Sequence, residues 1–187
     1  MTKKIILAGF GGQGIVFAGQ LLATAGMQGG CNVTVFPSYG PEMRGGTANC
    51  TVVISSEQVY SPVVAKPNVL VSLNQPSQDK FEECVEPGGL VVYNKSLISH
   101  IQARKDLSYF PVPASEMATQ IGTTRVANVI MVAALGVHTQ MVRFAALAAA
   151  LKEMVAGKGE HLVELNLKAL KAGKQLAEEF TLSHQEA

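Results

Sequence analysis

Ile5-Ile6-Leu7-Ala8-Gly9-Phe10-Gly11-Gly12-Gln13-Gly14 is the stretch on which the fold turns. Lys4 to Ala8 is a short apolar run of the kind that forms a buried strand. Four glycines follow in six residues, at 9, 11, 12 and 14, and then Ile15 to Gln28 continues without proline and stops at Gly29-Gly30. A proline-free run closed by glycines predicts a helix. Asn32-Val33-Thr34-Val35-Phe36 predicts a second strand. Strand, glycine turn, helix and strand make a βαβ unit, so these two strands should run parallel. The turn fits G-x-G-x-x-G, with each glycine placed for a reason. The first permits a tight turn, the second lets the backbone approach a pyrophosphate, and the third lets helix and strand pack closely. The helix start adds free N–H groups and a partial positive charge for an anion.

A nicotinamide reading meets a contradiction at the next step. A dinucleotide fold carries Asp or Glu about 20 residues on, for the ribose hydroxyls. Here nothing acidic lies between Gly14 and Glu42, and the second strand runs into Phe36-Pro37 with no arginine for a 2′-phosphate. Two explanations of the glycines stay open. One is a phosphate-bearing ligand other than NAD(P). The other is close packing of a helix or a subunit with no ligand at all.

Further out, Pro37 to Gly46 is a loop rich in glycine and proline. Residues 48–54 predict a strand, paired across a short turn with Gln58-Val59-Tyr60. Strands at 69–73, 90–93 and 107–112 follow, with a short helix at Phe81 to Val85 before Pro87-Gly88-Gly89. Helices are expected at 115–121, 125–136, 140–155 and 160–180. This is an α/β chain with a helical C-terminal third.

Composition narrows the function classes. The 187 residues are 48% hydrophobic and only 16% charged, with a net charge of +1. That balance gives no electrostatic reason to expect nucleic acid. No run of 18 apolar residues predicts a membrane span, and the apolar start is too short for a signal peptide, so a cytoplasmic protein is expected. Ile5 to Pro41 contains no charged residue, nor does Val126 to Gln140 apart from His138. A helix without a charged face is covered on most sides. The cover is either the rest of this domain or another subunit. Cys31, Cys50 and Cys84 have no metal or redox spacing, and the four histidines have no ligand or triad spacing, so no metal site is expected.

The loop after the second strand carries a resemblance. Pro37-Ser38-Tyr39-Gly40-Pro41-Glu42-Met43-Arg44-Gly45-Gly46-Thr47-Ala48-Asn49-Cys50 closely resembles a signature of the gamma subunits of 2-oxoacid:ferredoxin oxidoreductases. The glycine loop at 9–14 is similar to the same family. So are Ser61-Pro62, Pro67-Asn68-Val69-Leu70, Asn74-Gln75-Pro76-Ser77 with Lys80-Phe81, and Asn128 ahead of Ala134-Leu135-Gly136. The match runs from about residue 4 to about 155 and looks most like the 2-oxoglutarate branch, with pyruvate, branched-chain and indolepyruvate versions close by.

The resemblance implies a Rossmann-like, three-layer α/β domain with a mostly parallel sheet. It would span 1–187, as a core of about 4–155 and a C-terminal helix of about 160–180. It implies oxidative decarboxylation of a 2-oxoacid to acyl-coenzyme A, with electrons passed to ferredoxin or a similar acceptor. Thiamine diphosphate, magnesium and iron–sulfur clusters would sit on partner alpha, beta and delta subunits, and this chain alone would be inactive. Neither a thiamine–magnesium motif nor a cysteine cluster stands in this sequence, in keeping with that division. Dimerisation of the isolated chain is a further expectation; nucleic acid and membrane partners are not.

No residue of this chain is expected to be catalytic. Coenzyme A is expected at the glycine loop, with Gly9, Gly11, Gly12, Gln13 and Gly14 meeting Ser38, Tyr39, Gly40, Glu42, Arg44 and Gly45 across a crevice. Arg44 either clamps a phosphate or pairs with Glu42 or a neighbouring subunit to fix the loop. Tyr39 either stacks on an adenine or packs. Asn74 and Gln75 follow an apolar strand, where open α/β sheets bind ligands, so they either line the crevice or serve a turn before Pro76. Arg125 and Asn128 open a helix, where an anion site or a buried amide is expected. The rivals are a ligand-free assembly subunit and a free-standing dinucleotide-dependent oxidoreductase.

Overall fold

The computed structural model describes residues 2–38 and 47–183. Its strands are β1 (Thr2–Phe10), β2 (Asn32–Ser38), β3 (Thr47–Ser55), β4 (Val69–Ser72), β5 (Leu90–Asn94) and β6 (Ser108–Val112). Its helices are α1 (Ile15–Gln28), α2 (Gln75–Phe81), α3 (Ala114–Ile121), α4 (Ala127–Thr139), α5 (Phe144–Val155) and α6 (Glu160–Ser183), with short 3-10 turns at Glu82–Cys84 and Thr124–Val126. The six strands form one sheet in the order β2-β3-β1-β4-β5-β6. Pairs β1–β4, β4–β5 and β5–β6 are parallel, while β3 is antiparallel to both β1 and β2. Five strands therefore point one way and β3 alone points back.

Two strand expectations change here. β1 and β2 do run in the same direction, but they are not neighbours, because β3 lies between them. The hydrophobicity of β3 explains its place. Cys50, Val52 and Ile54 on one face and Thr51 and Val53 on the other are all 7% exposed or less. A strand buried on both faces belongs inside a sheet. β2 has Asn32, Thr34 and Pro37 and takes the edge, where a missing N–H costs no ladder bond. Pro111 sits in the same way on the other edge strand, β6. The strand expected at Gln58-Val59-Tyr60 does not form. β3 already has both edges paired, and Tyr60 is 89% exposed.

The helix expected at Phe81 to Val85 lies one element early. Asn74 caps it, its Oδ1 accepting from Ser77 N–H at 2.9 Å, and Pro76 stands in the first turn, where its missing N–H has no intrahelical partner to lose. Phe81 ends α2, and only a 3-10 turn continues to Cys84.

The layers are unequal. α1 and α3 to α6 share one face of the sheet and one large apolar core with Ile5, Leu7, Val52, Val71, Val92 and Phe110. On the other face the 81–85 turn supplies Phe81 and Val85, which close a smaller core with Ile6, Ala8, Leu70 and Val91. That side is pinned by a buried polar chain. Ser72 Oγ donates to Gln78, Gln78 Nε2 donates to Glu82 Oε2 at 2.8 Å, and Tyr109 Oη donates to Glu82 Oε1. Burial, with the bond to Glu82 second, pushes the Tyr109 phenol up to about 12.

The charge-free helices are covered mostly by this chain itself. Every residue of α4 from Ala127 to Gly136 is buried. α6 packs against it so closely that Gly173 faces the carbonyl of Ile130. α1 is buried along Ile15, Ala18, Leu21, Leu22 and Ala25, leaving Gln20, Met27 and Gln28 exposed. Of the two explanations for missing charge, the core-helix one accounts for α4 fully and α1 largely.

Candidate functional site

The glycine loop leaves the carboxyl end of β1 and enters α1. Gly14 is the N-cap of α1 in the left-handed region, φ 71°, and a Cβ there would collide with Asn128 Nδ2. Both facts demand glycine. Gly12 has φ 96° with open space around it, so only its backbone shape is constrained. Gly9 faces Gln13 Oε1 and Ile15, leaving no room for a side chain.

Gln13 is the loop's internal tie. Its Oε1 accepts from Phe10 N–H at 2.6 Å and from Asn74 Nδ2 at 3.2 Å, and its Nε2 reaches Leu73 O at 3.5 Å. Asn74 is 2% exposed and spends its other amide atom on the α2 cap. Gln75 clamps the 99–100 backbone. Its Oε1 accepts from Ser99 and His100 N–H at 3.1 Å each, and its Nε2 donates to His100 O and to Asp79 Oδ1 at 2.8 Å. The amides of Gln13, Asn74 and Gln75 are thus engaged within the fold, the turn-forming role in the case of Asn74.

β1 hands the chain to α1 on one face and β4 hands it to α2 on the other. The crevice outside these two strand ends is the switch point where open α/β sheets bind ligands. A cavity of about 270 Å³ lies there. Gly12 and Gln13 form one wall, Thr124, Arg125 and Ala127 the facing wall, and Leu73, Leu97 and Ser115 the remainder. Among these lining residues Arg125 is the cation and there is no carboxylate. Gly12 and Gln13 lead into α1, whose start has no side-chain cap, and with the Arg125 guanidinium this favours an anion. The first N–H groups of α3 are spent on Asn94 Oδ1 and Ser96 Oγ at 3.3 Å each, and those leading into α4 on Thr123, Thr124 and Asn128. A second hollow of about 240 Å³ lies across the glycine loop, lined by Phe10, Gly11, Gly12, Ile15, Phe17 and Ser38.

The structure brings Gly9, Gly11, Gly12, Gln13, Gly14, Ser38 and Asn74 into one neighbourhood, with Gln75 directed away to the 99–100 loop. Tyr39, Gly40, Glu42, Arg44 and Gly45 lie outside the described residues. Phe10 pairs with Thr47 in the sheet, and Ser38 with Asn49. Ser115, Thr124 and Leu97 carry no sequence signal as crevice residues. Arg125 has one, its place at a helix start. Among the described residues no group of three or more His, Cys, Asp or Glu is placed to hold a metal ion. Nor is any helix among them long and apolar enough to cross a membrane.

Comparison with known proteins bears on this arrangement. A family model described as pyruvate ferredoxin/flavodoxin oxidoreductase matches residues 4–176. The chain is 40% identical over 182 residues to ketoisovalerate oxidoreductase subunit VorA of Methanothermobacter thermautotrophicus, covering 94% of this chain but 36% of that protein. It thus spans about a third of the length of that relative. It is 36% identical over 183 residues to 2-oxoglutarate synthase subunit KorC of Methanocaldococcus jannaschii, covering 96% of each. A crystal structure of a keto/oxoacid ferredoxin oxidoreductase gamma subunit from Geobacter sulfurreducens superposes with a TM-score of 0.81 at 28% identity, over 95% of this chain and 99% of that one. The 2-oxoglutarate:ferredoxin oxidoreductase of Magnetococcus marinus, with 2-oxoglutarate, coenzyme A and succinyl-CoA bound, superposes with a TM-score of 0.87 at 27% identity, over 95% of this chain and 31% of that one.

Proposed function

The chain belongs to the pyruvate ferredoxin/flavodoxin oxidoreductase family and is of its gamma-subunit type, and from that premise we propose that it serves the coenzyme A side of a 2-oxoglutarate:ferredoxin oxidoreductase. The observation that carries the coenzyme A reading is the crevice at the switch point. It joins bare glycine backbone, the start of α1 and Arg125 without an opposing carboxylate. At about 270 Å³ it is small for a whole ligand and suits one part of coenzyme A, its phosphates above all. β1 is flanked by β3 and β4, which bring Ala48, Asn49 and Ser72 to that end, with no acid among them for a nicotinamide ribose. The neighbour solved with coenzyme A bound supports the reading by analogy.

The 2-oxoglutarate assignment is supported by end-to-end similarity to KorC; the match to VorA is higher in identity but covers a third of that protein. The described residues supply neither a cysteine cluster nor a carboxylate set for thiamine-bound magnesium. Those groups belong in this proposal to alpha, beta and delta partners, which decarboxylate the 2-oxoacid and pass electrons to ferredoxin. Arg44, in the stretch between Ser38 and Thr47, is proposed to act with the glycine loop on the same ligand.

Purification of the tagged chain from its native cells tests the assignment. Co-purifying subunits with coenzyme A-dependent reduction of viologen by 2-oxoglutarate are expected. Activity on pyruvate or 2-oxoisovalerate in its place would overturn the substrate, and a single band without such activity would overturn the subunit reading.

A further inference from the structure

We infer that Asn128 is a positioning residue that fixes the distance between the two walls of the crevice; this rests on the coenzyme A reading given above. Asn128 is 4% exposed and is the second residue of α4. Its Nδ2 donates to Gly14 O at 3.0 Å, and its Oδ1 accepts from Val129 N–H at 2.9 Å. One amide therefore closes the start of α4 with its oxygen and holds the start of α1 with its nitrogen. Gly14 O also accepts from Ala18 N–H at 2.9 Å, so the same carbonyl begins the α1 ladder.

The two helix starts are the two walls. Gly12 and Gln13 lead into α1, and Thr124 and Arg125 lead into α4. In sequence the walls are more than a hundred residues apart, and Asn128 to Gly14 is a direct side-chain tie between them. Gly14 is shaped to receive it, since a Cβ there would displace the amide. Asn128 is not among the residues lining the cavity. It acts on a ligand only through the backbone of Gly14 and the turn that carries Arg125. An anion held from both sides needs both walls in register, and a loss of about 1 Å in such a clamp is felt in affinity.

The chemistry of close isosteres separates this role from general stability. Asn128→Asp keeps an acceptor for Val129 N–H but turns a carboxylate oxygen toward Gly14 O. Asn128→Ala removes the tie without adding charge. Both are measured in the assembled oxidoreductase, by 2-oxoglutarate-dependent viologen reduction across coenzyme A concentrations. The KM for coenzyme A is expected to rise about tenfold in each, the worth of one buried hydrogen bond. The kcat and the KM for 2-oxoglutarate should stay within about twofold. Combined with Arg125→Ala, either variant should add less than the product of the two single effects, because both weaken one clamp.

Effects that simply multiply, a kcat that falls with both KM values, or failure of both Asn128 variants to assemble would overturn the positioning role. If Arg125→Ala raises the KM for coenzyme A and the Asn128 variants do not, this inference fails and the crevice reading stands. If Arg125→Ala leaves it unchanged, the crevice reading itself fails.

Discussion

Gln13 and Asn74 meet at 3.2 Å, Asn74 Nδ2 donating to Gln13 Oε1, and this contact ties the loop after β1 to the loop after β4. Because the same Oε1 also accepts from Phe10 N–H, the glycine loop is shaped by its own glutamine before any ligand arrives. A preformed loop loses less freedom on binding. Gln13→Ala removes the shared acceptor and leaves the buried Asn74 amide short of a partner. A loss of about 1–2 kcal/mol is expected, or a fall in Tm of roughly 2–8 °C in thermal melts. An unchanged Tm would show that the tie carries no stability.

Gly12 and Gly14 both have positive φ, yet their substitutions should differ. Gly12→Ala meets open space and costs about 1–2 kcal/mol of backbone strain alone. Gly14→Ala adds the displacement of Asn128 and is expected to cost about 2–4 kcal/mol. Urea unfolding of the two variants side by side checks the order. Equal losses would mean that Asn128 yields freely.

Gly173 gives the case in which packing should beat propensity. Alanine is the better helix former by about 1 kcal/mol. At Gly173 its methyl would press on the Ile130 carbonyl and on Ala133 Cβ, both on α4. Backbone cannot move aside as a side chain can, and overpacking costs about 1–3 kcal/mol. Gly173→Ala is therefore expected to lower the urea midpoint. A raised midpoint would place α6 farther from α4 than described.

The three thiols should separate by reactivity. Burial pushes the Cys50 thiol up to about 11, whereas Cys84 is exposed and Cys31 half-buried. A raised pKa favours the neutral thiol, so at pH 8 only on the order of one Cys50 in a thousand is thiolate. Timed iodoacetamide labelling read by mass spectrometry should find Cys84 modified first and Cys50 only after unfolding. Labelling of Cys50 at the rate of Cys84 would contradict its burial.

Much of this was legible in the residues, and the remainder has physical reasons. The strand, glycine loop and helix from Lys4 to Gln28 declare themselves through local pattern, as do the helices after Ala114. The insertion of β3 between β1 and β2 does not, because strand order depends on which surfaces are most apolar together. Asn74-Gln75-Pro76-Ser77 reads equally as a turn or a helix start, since Asn, Pro and Ser serve both. Missing charge in α4 told of burial but not of what buries it. Asn128 and Gly14 are 114 residues apart, and no local pattern joins them.

The most direct test of the account is a titration of coenzyme A in the reconstituted oxidoreductase, with this chain present, absent, or carrying Arg125→Ala, with viologen reduction by 2-oxoglutarate as the readout. Without the chain no coenzyme A-dependent turnover is expected, and Arg125→Ala should raise the KM for coenzyme A about tenfold at nearly unchanged kcat. The same coenzyme A dependence with and without the chain would contradict the coenzyme A reading.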